Sequence, residues 1–239
     1  MNINTRKIEY FHDGTRLEGF FAWDADAVQP LPAVLVSHAW AGRDEFACGK
    51  ALALAELGYA GFALDMYGDG IVGSGPEENG KLMAPFMADR TLLQGRQLAA
   101  LETVRKQPEV RTASVAAIGF CFGGLCVLDL ARSGADLQGV VSFHGLLAPP
   151  GNTKGVQINA KVLVLHGHED PMAPPEQVLA LEQELSAAGA DWQVHVYGGT
   201  LHAFTNPRAN EPDAGKLYRE IADARSWQSM RNFLEEVLK

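Results

Sequence analysis

The sequence has 239 residues, of which 47% are hydrophobic and 21% charged, which excludes a largely disordered chain and allows one large domain with a deep core. Its net charge of -9 argues against nucleic acid or an anionic membrane as a partner, because both bind basic surfaces. No apolar run reaches the roughly 18 residues that span a bilayer, and three cysteines without an export signal lead us to expect a cytoplasmic protein.

The predicted elements begin with an antiparallel hairpin over residues 7–23, where two alternating segments flank the turn signal Asp13-Gly14. The apolar run at 33–37 is typical of a strand that is buried on both faces. The helix predicted over 44–57 begins at a suitable N-cap, Asp44, and ends before a glycine. The remaining elements of this half are a strand at 60–65, a Gly-rich loop to Gly80 and a long helical region to about Gln107.

The second half of the chain alternates apolar strands with helical patterns. The predicted strands are 114–120, 139–144, 161–167 and 192–197, and the predicted helices run from about Phe122 to Arg132, Pro175 to Ala188 and Ala214 to Leu238. This order predicts an α/β fold with a mostly parallel sheet, helices on both faces and the N-terminal hairpin at one edge, in one domain over 1–239. Ligands of such sheets bind beyond the carboxyl ends of the strands, so a functional site should collect residues that follow different strands.

A nucleophile motif follows the strand at 114–120. Gly119-Phe120-Cys121-Phe122-Gly123 has the form G-x-C-x-G at a strand-to-helix turn, where glycines permit a turn tight enough to expose the central residue. The helix that begins at Phe122 directs free N–H groups toward Cys121 and stabilises a thiolate there. The alternative is an inert, buried cysteine in a Gly-rich turn. No cysteine stands in a CxxC or Cys/His zinc pattern, so we expect no metal site.

The base that such a nucleophile needs can be sought among seven histidines. His202 lies in a polar loop after the last predicted strand, late in the chain, where it can reach the carboxyl edge of the sheet. His144 and His166 end strands and could line the site, although a structural role is the commoner one for such residues. His202 is therefore the predicted general base.

The acid should follow a strand that lies between the nucleophile and the base. Asp170 does so after the strand at 161–167, and Glu169 is the neighbouring alternative. Cys121, Asp170 and His202 then occur in the order nucleophile, acid and histidine that α/β-hydrolases share. We predict that these three form a catalytic triad on an α/β-hydrolase fold.

Backbone donors for an oxyanion would complete this site. The N–H of Phe122 directly follows the nucleophile, and a second N–H should come from the loop after the strand at 33–37. We assign the second donor to Trp40, with Ala39 as the less suitable choice.

These residues bring the chain close to the dienelactone hydrolase family, which it resembles over nearly its whole length. The resemblance rests on AVLVSHAWAGRDEF, ALAELGYAGFALDMYG, GFCFGG, LHGHEDPMAP and YGGTLHAF, and the GFCFGG elbow with its cysteine is the most specific part. It implies a Cys-Asp-His hydrolase of esters or enol-lactones that needs no cofactor. The implied triad falls on the same Cys121, Asp170 and His202.

Two departures from the family pattern concern the substrate. Ala39 stands where the dienelactone enzymes have a glutamate that contacts the resting thiol. Those enzymes also hold a substrate carboxylate with arginines, whereas here Asn206 fills the nearest slot and Arg208 lies two residues further on. A neutral or aromatic ester would fit an opening lined by aromatic side chains equally well. The aromatic residues expected at this opening are Trp40, Tyr67, Phe122 and Phe204. The alternative is that these side chains only fill the core, which is the commoner place for aromatic residues.

Other functions remain open from the sequence. The same triad could hydrolyse thioesters, aryl esters or phosphotriesters, because a thiolate beside oxyanion donors can also attack phosphorus. The chain could alternatively be a non-catalytic, hydrolase-like binding protein, although an intact triad argues against this. A thiol-transfer function is weaker still, since Cys126 is poorly spaced to resolve a disulfide with Cys121. We expect a small-molecule ester or lactone as the substrate and a monomer or homodimer as the assembly.

Overall fold

An eight-stranded sheet forms the centre of the computed structural model, which describes residues 1–238. Its strands are β1 (Ile3–His12), β2 (Thr15–Asp24), β3 (Leu31–Ser37), β4 (Ala60–Ala63), β5 (Val110–Phe120), β6 (Gly139–Phe143), β7 (Lys161–Gly167) and β8 (Trp192–Tyr197). They lie in the order β1-β2-β4-β3-β5-β6-β7-β8, and all pairs from β4 to β8 are parallel. β2 pairs antiparallel with both β1 and β4. The predicted mostly parallel sheet with an N-terminal antiparallel hairpin is confirmed.

Helices cover both faces of this sheet. They are α1 (Glu45–Glu56), α2 (Pro76–Ala88), α3 (Arg90–Arg105), α4 (Phe122–Arg132), α5 (Pro175–Ala187) and α6 (Glu220–Val237). A small ribbon of β9 (Asn210–Glu211) and β10 (Lys216–Leu217) precedes α6. The predicted single domain over 1–239 includes Lys239, which lies outside the described residues, and the extent of the domain stays a prediction.

Two apolar layers pack on opposite faces of the sheet, because successive strand residues point to opposite sides. In β3, Leu35 belongs to one layer and Val36 to the other. The first layer includes Leu93 of α3, Leu125 of α4 and Leu181 of α5, whereas the second includes Leu54 of α1 and Phe233 of α6. The central strands are thus buried on both faces, and only their carboxyl ends are free to present functional groups.

The ends of α1 follow from local chemistry that the sequence predicts. The side chain of Asp44 accepts a hydrogen bond from the N–H of Ala47 and caps the helix. Gly58, just beyond the helix, has φ of 89°, a conformation that a side chain would disfavour.

Two predicted helices have different bounds in the structure. The helical region expected from the end of the Gly-rich loop at Gly80 to about Gln107 begins earlier, at Pro76, and breaks at Asp89. Asp89 accepts hydrogen bonds from the N–H groups of Thr91 and Leu92, so it starts a new helix instead of continuing the first. The last helix, expected from Ala214, begins at Glu220, because residues 210–217 form the ribbon and a short 3-10 turn.

Candidate active site

The elbow between β5 and α4 holds Cys121 in a strained backbone conformation, with φ of 57° and ψ of -116°. A Cβ atom at Gly119 would collide with the carbonyl of Gly123, and one at Gly123 would collide with the carbonyl of Ser37. Both glycines are therefore required by close packing of the backbone around the turn. The turn leaves Cys121 partly buried at the carboxyl edge of the sheet, at the N-terminus of α4.

His202 and Asp170 meet at this same edge. His202 Nδ1 lies 2.7 Å from Asp170 Oδ2, and both side chains are buried. The other carboxylate oxygen of Asp170 accepts a hydrogen bond from the N–H of Met172 at 2.8 Å, which fixes the carboxylate. Glu169 is exposed and instead accepts from the N–H of Thr200 at 2.8 Å. Of the two adjacent carboxylates, Asp170 is thus the one that contacts the imidazole.

The thiol of Cys121 and the ring of His202 shift each other's pKa in opposite directions. Burial raises the pKa of Cys121, but the charge and hydrogen bonding of His202 outweigh burial, and the net pKa is lowered. Burial lowers the pKa of His202, but the Cys121 charge and the hydrogen bond to Asp170 raise it to about 10. Apart from the thiol of Cys121, His202 Nε2 has no hydrogen-bond partner among residues 1–238. Both shifts favour the thiolate and imidazolium forms of the pair.

Two backbone N–H groups are directed at the sulfur of Cys121. Hydrogen bonding from the N–H groups of Phe122 and Trp40 lowers the pKa of this thiol further. The hydroxyl of Tyr67 donates a 2.8 Å hydrogen bond to the carbonyl of Trp40 and so holds the loop that supplies the second donor. The ring of Tyr67 stacks on Phe122 with 6.2 Å between centroids. The two donors assigned from sequence therefore converge on one atom.

The expected aromatic opening is only partly correct. The side chains of Phe122 and Phe204 are fully buried, so neither can line an open mouth as predicted. Phe204 packs edge-on against His144 and Tyr197, with centroid separations of 5.1 and 5.7 Å. Trp40 and Tyr67 remain partly exposed.

The other candidate substrate-binding residues do not provide a charged contact. Ala39 is partly buried, and its carbonyl lies 2.6 Å from His38 Nδ1. The side chain of Arg208 is exposed at the surface. The nearby carboxylates do not take the place of the family glutamate either, because Asp44 caps α1 and Glu45 is exposed in the first turn of that helix.

A cation that the sequence did not indicate lies beside Trp40. The Nζ of Lys216 is 5.7 Å from the centroid of the Trp40 ring and 2.7 Å from a carboxylate oxygen of Glu211. Lys216 also forms a backbone bridge with His202. The ribbon thus joins the loop of His202 to the loop of Trp40. Local sequence patterns do not predict this contact, because the two segments are distant in the chain.

His144 is a second residue whose position the sequence only hinted at. It directly follows β6, and it contacts both the backbone of Cys121 and the hydroxyl of Thr205. Its location after a strand was the available signal, but nothing in the sequence distinguished it from His166, which also ends a strand.

One cavity of the described residues lies away from the elbow. Its volume is about 660 Å³, and it lies between residues 147–158 and α5, with no member of the predicted triad in its lining. No group of histidine, cysteine and carboxylate side chains within residues 1–238 is arranged to hold a metal ion. No helix among these residues is both long and apolar enough to cross a bilayer.

Comparison with known proteins identifies the family. The model of the dienelactone hydrolase family matches residues 17–238. A protein of Aquifex aeolicus, provisionally named a carboxymethylenebutenolidase, is 27% identical over 97% of this chain and 98% of its own length. The crystal structure of P91, described as a dienelactone hydrolase-like promiscuous phosphotriesterase from metagenomic libraries, is 38% identical with a TM-score of 0.96 over 100% of both chains.

A further solved structure supports the fold alone. The crystal structure of a Klebsiella pneumoniae protein, provisionally named a dienelactone hydrolase, has a TM-score of 0.82 at 24% identity, covering 98% of this chain and 99% of its own. The family match spans almost the entire chain, including the elbow, the acid loop and the histidine loop. The chain therefore belongs to the dienelactone hydrolase family and is an ester or lactone hydrolase.

Proposed function

We propose that this protein cleaves carboxylic esters or lactones through an acyl-enzyme intermediate on Cys121, with His202 as the general acid and base and Asp170 as its partner. What supports this most is the His202 ring, whose Nδ1 lies 2.7 Å from Asp170 and whose charge lowers the pKa of the Cys121 thiol. The opposite pKa shifts of Cys121 and His202 are those of a nucleophile and base that share one proton.

The first half of the reaction forms a thioester. The Cys121 thiolate attacks the carbonyl carbon, and the developing oxyanion accepts hydrogen bonds from the N–H groups of Phe122 and Trp40. The tetrahedral intermediate then collapses and breaks the carbon–oxygen bond to the leaving alkoxide. His202 Nε2–H protonates that alkoxide, which leaves a neutral imidazole and an acyl-Cys121.

The second half regenerates the ion pair. Neutral His202 removes a proton from water as the water oxygen attacks the thioester carbonyl, and the same N–H groups hold the second oxyanion. Collapse expels the Cys121 thiolate beside the imidazolium and releases the carboxylic acid. Asp170 stabilises the imidazolium in both halves, and it also fixes the ring so that Nε2 faces the sulfur.

Alkylation of Cys121 by iodoacetamide, followed against pH by mass spectrometry, tests the ion pair separately from turnover. We expect an apparent pKa below the ordinary thiol value of about 8.5, because His202 and the backbone donors favour the thiolate. In His202→Ala the favourable charge is lost while burial remains, so the apparent pKa should rise. A single wild-type pKa at or above the ordinary value would contradict the ion pair.

Trapping the intermediate tests the chemistry itself. Rapid quenching with a p-nitrophenyl ester should give a mass increase of one acyl group on the peptide that contains Cys121. His202→Ala should abolish the accumulation of both acyl-enzyme and p-nitrophenol. A protein that binds the ester without releasing p-nitrophenol would instead be a hydrolase-like binding protein.

Phosphotriester hydrolysis is a second candidate, favoured by the 38% identity to P91 over 100% of both chains. The same thiolate could attack tetrahedral phosphorus and displace an aryloxide, with the N–H groups of Phe122 and Trp40 holding the phosphoryl oxygen. Ala39 supports this breadth, since no carboxylate at that position competes for the thiol. Release of p-nitrophenol from diethyl p-nitrophenyl phosphate, lost in Cys121→Ala, would establish the activity, and no release above the buffer rate would exclude it.

A further inference from the structure

His144 lies next to the nucleophile because β5 and β6 are parallel neighbours. Phe120 pairs with Phe143 at the ends of these strands, so the residues that follow, Cys121 and His144, are adjacent across the sheet edge. The N–H of Cys121 lies 3.0 Å from the carbonyl of Phe143 and 3.2 Å from Nδ1 of His144, and it donates to both. His144 has φ of 38° and is buried, so its ring is held in one position.

The other side of the same ring contacts the loop of the proposed base. His144 Nε2 lies 2.8 Å from Oγ1 of Thr205, which is three residues after His202. Because Nδ1 accepts the hydrogen bond from Cys121, the ring proton must lie on Nε2, which therefore donates to the Thr205 hydroxyl. The rings of His144 and His202 meet edge to face with 5.1 Å between centroids.

The surroundings of His144 keep it neutral. Burial lowers its pKa well below the ordinary value, and the positive charge of His202 lowers it further, as do the more distant Lys50 and His166. A neutral ring can accept from Cys121 and donate to Thr205 at the same time, whereas a protonated ring could only donate. Neutrality also avoids placing a second positive charge against the His202 imidazolium.

We propose that His144 is a positioning residue that fixes the separation of Cys121 and His202 by bonding the backbone of one and the loop of the other. The inference rests on the proposed function of this pair. His144 touches no reacting atom, and it acts by joining the elbow after β5 to the loop after β8. These two segments are about 80 residues apart in the chain, and their strands, β5 and β8, are not neighbours in the sheet.

Thr205→Val tests the bond because valine keeps the shape of the side chain and removes only the hydroxyl. We expect kcat on a p-nitrophenyl ester to fall about tenfold with KM within about twofold, because slight misplacement of a catalytic pair slows chemistry more than binding. The apparent pKa of Cys121 alkylation should rise toward the ordinary thiol value. Thr205→Ser keeps the hydroxyl and should restore both quantities.

Thr200→Val is the matched control. Thr200 is a buried threonine in the same loop, and within residues 1–238 its hydroxyl bonds only to the carbonyl of Gly198, at 3.2 Å. Its kcat and the Cys121 alkylation pKa should stay near those of the wild type, even if the melting temperature falls. His144→Asn, which suits the positive φ, should lower kcat like Thr205→Val.

The outcomes separate this inference from the proposed function. If Thr205→Val lowers only the melting temperature and leaves kcat and the alkylation pKa unchanged, His144 is structural and the inference is wrong. If the wild type has no hydrolase activity, the proposed function fails, yet the shift of the alkylation pKa still measures the coupling between the two loops. An unshifted alkylation pKa in both Thr205→Val and His144→Asn would overturn the inference in that case too.

Discussion

Replacing Asp170 by asparagine should cripple the enzyme while leaving its fold intact. The carboxylate lies 2.7 Å from His202 Nδ1, and both groups are buried. At this distance and an effective dielectric constant of about 20, Coulomb's law gives an attraction on the order of 6 kcal/mol between carboxylate and imidazolium. An energy of this size corresponds to about a 10⁴-fold change in the rate of a step whose transition state contains the imidazolium. Asparagine also donates to Nδ1 and thereby favours the wrong tautomer.

The assay is kcat/KM on a p-nitrophenyl ester, with a melting curve for each variant to separate catalysis from folding. Glu169→Gln is the matched control, because Glu169 is the adjacent carboxylate and accepts from Thr200 rather than from His202. We expect it to stay within about threefold of the wild type, since it removes no group that acts on the imidazole. The reasoning is refuted if Asp170→Asn keeps more than about a hundredth of wild-type kcat/KM, or if Glu169→Gln is the more damaged variant.

Three further variants test other parts of the site. Cys121→Ala should lower kcat/KM by several orders of magnitude with little change in melting temperature, whereas Cys126→Ala should remain active. Residual activity of Cys121→Ala above about a tenth of wild type would contradict its assignment as the nucleophile. Tyr67→Phe loses the 2.8 Å hydrogen bond to the Trp40 carbonyl and should lower kcat by about three- to tenfold, with KM little changed. Wild-type kinetics in this variant would mean that the loop of Trp40 is held without that hydrogen bond. Gly123→Ala places a Cβ atom against the backbone carbonyl of Ser37 and should lower the melting temperature and the soluble yield. A variant as stable as the wild type would show that the elbow can relax around the added methyl group.

Much of the fold could be predicted because its signals are local. The observed β7 coincides with the apolar run predicted as a strand at 161–167. The observed α4 coincides with the helix predicted over 122–132, directly after the elbow. The break at Asp89 was missed because the helical pattern continues through it, and only the capping of Thr91 and Leu92 interrupts the helix.

In the candidate site, too, the sequence predicts the individual residues but not the contacts between them. The proposed triad residues could be selected because each follows a different strand, and the structure brings Asp170 and His202 into contact. The partners of these residues could not be predicted, because they depend on which loops meet in space. His144 meets Thr205 across 61 residues, and Lys216 meets Trp40 through the ribbon, which has no distinctive sequence pattern. Phe204 was misplaced because an aromatic residue beside a catalytic histidine suits a core and an opening equally well.

The positive φ of Cys121 also bears on how variants of this protein will behave under selection. A non-glycine residue in this conformation costs on the order of 1–2 kcal/mol, whichever side chain it has. Glycine at position 121 would relieve that strain, against about 0.5–1 kcal/mol of extra chain entropy in the unfolded state. A screen that rewards only thermal tolerance would therefore accept the loss of the proposed nucleophile without penalty. Engineering of this protein for stability needs turnover as a simultaneous criterion, because the strained residue is also the one that the proposed chemistry cannot replace.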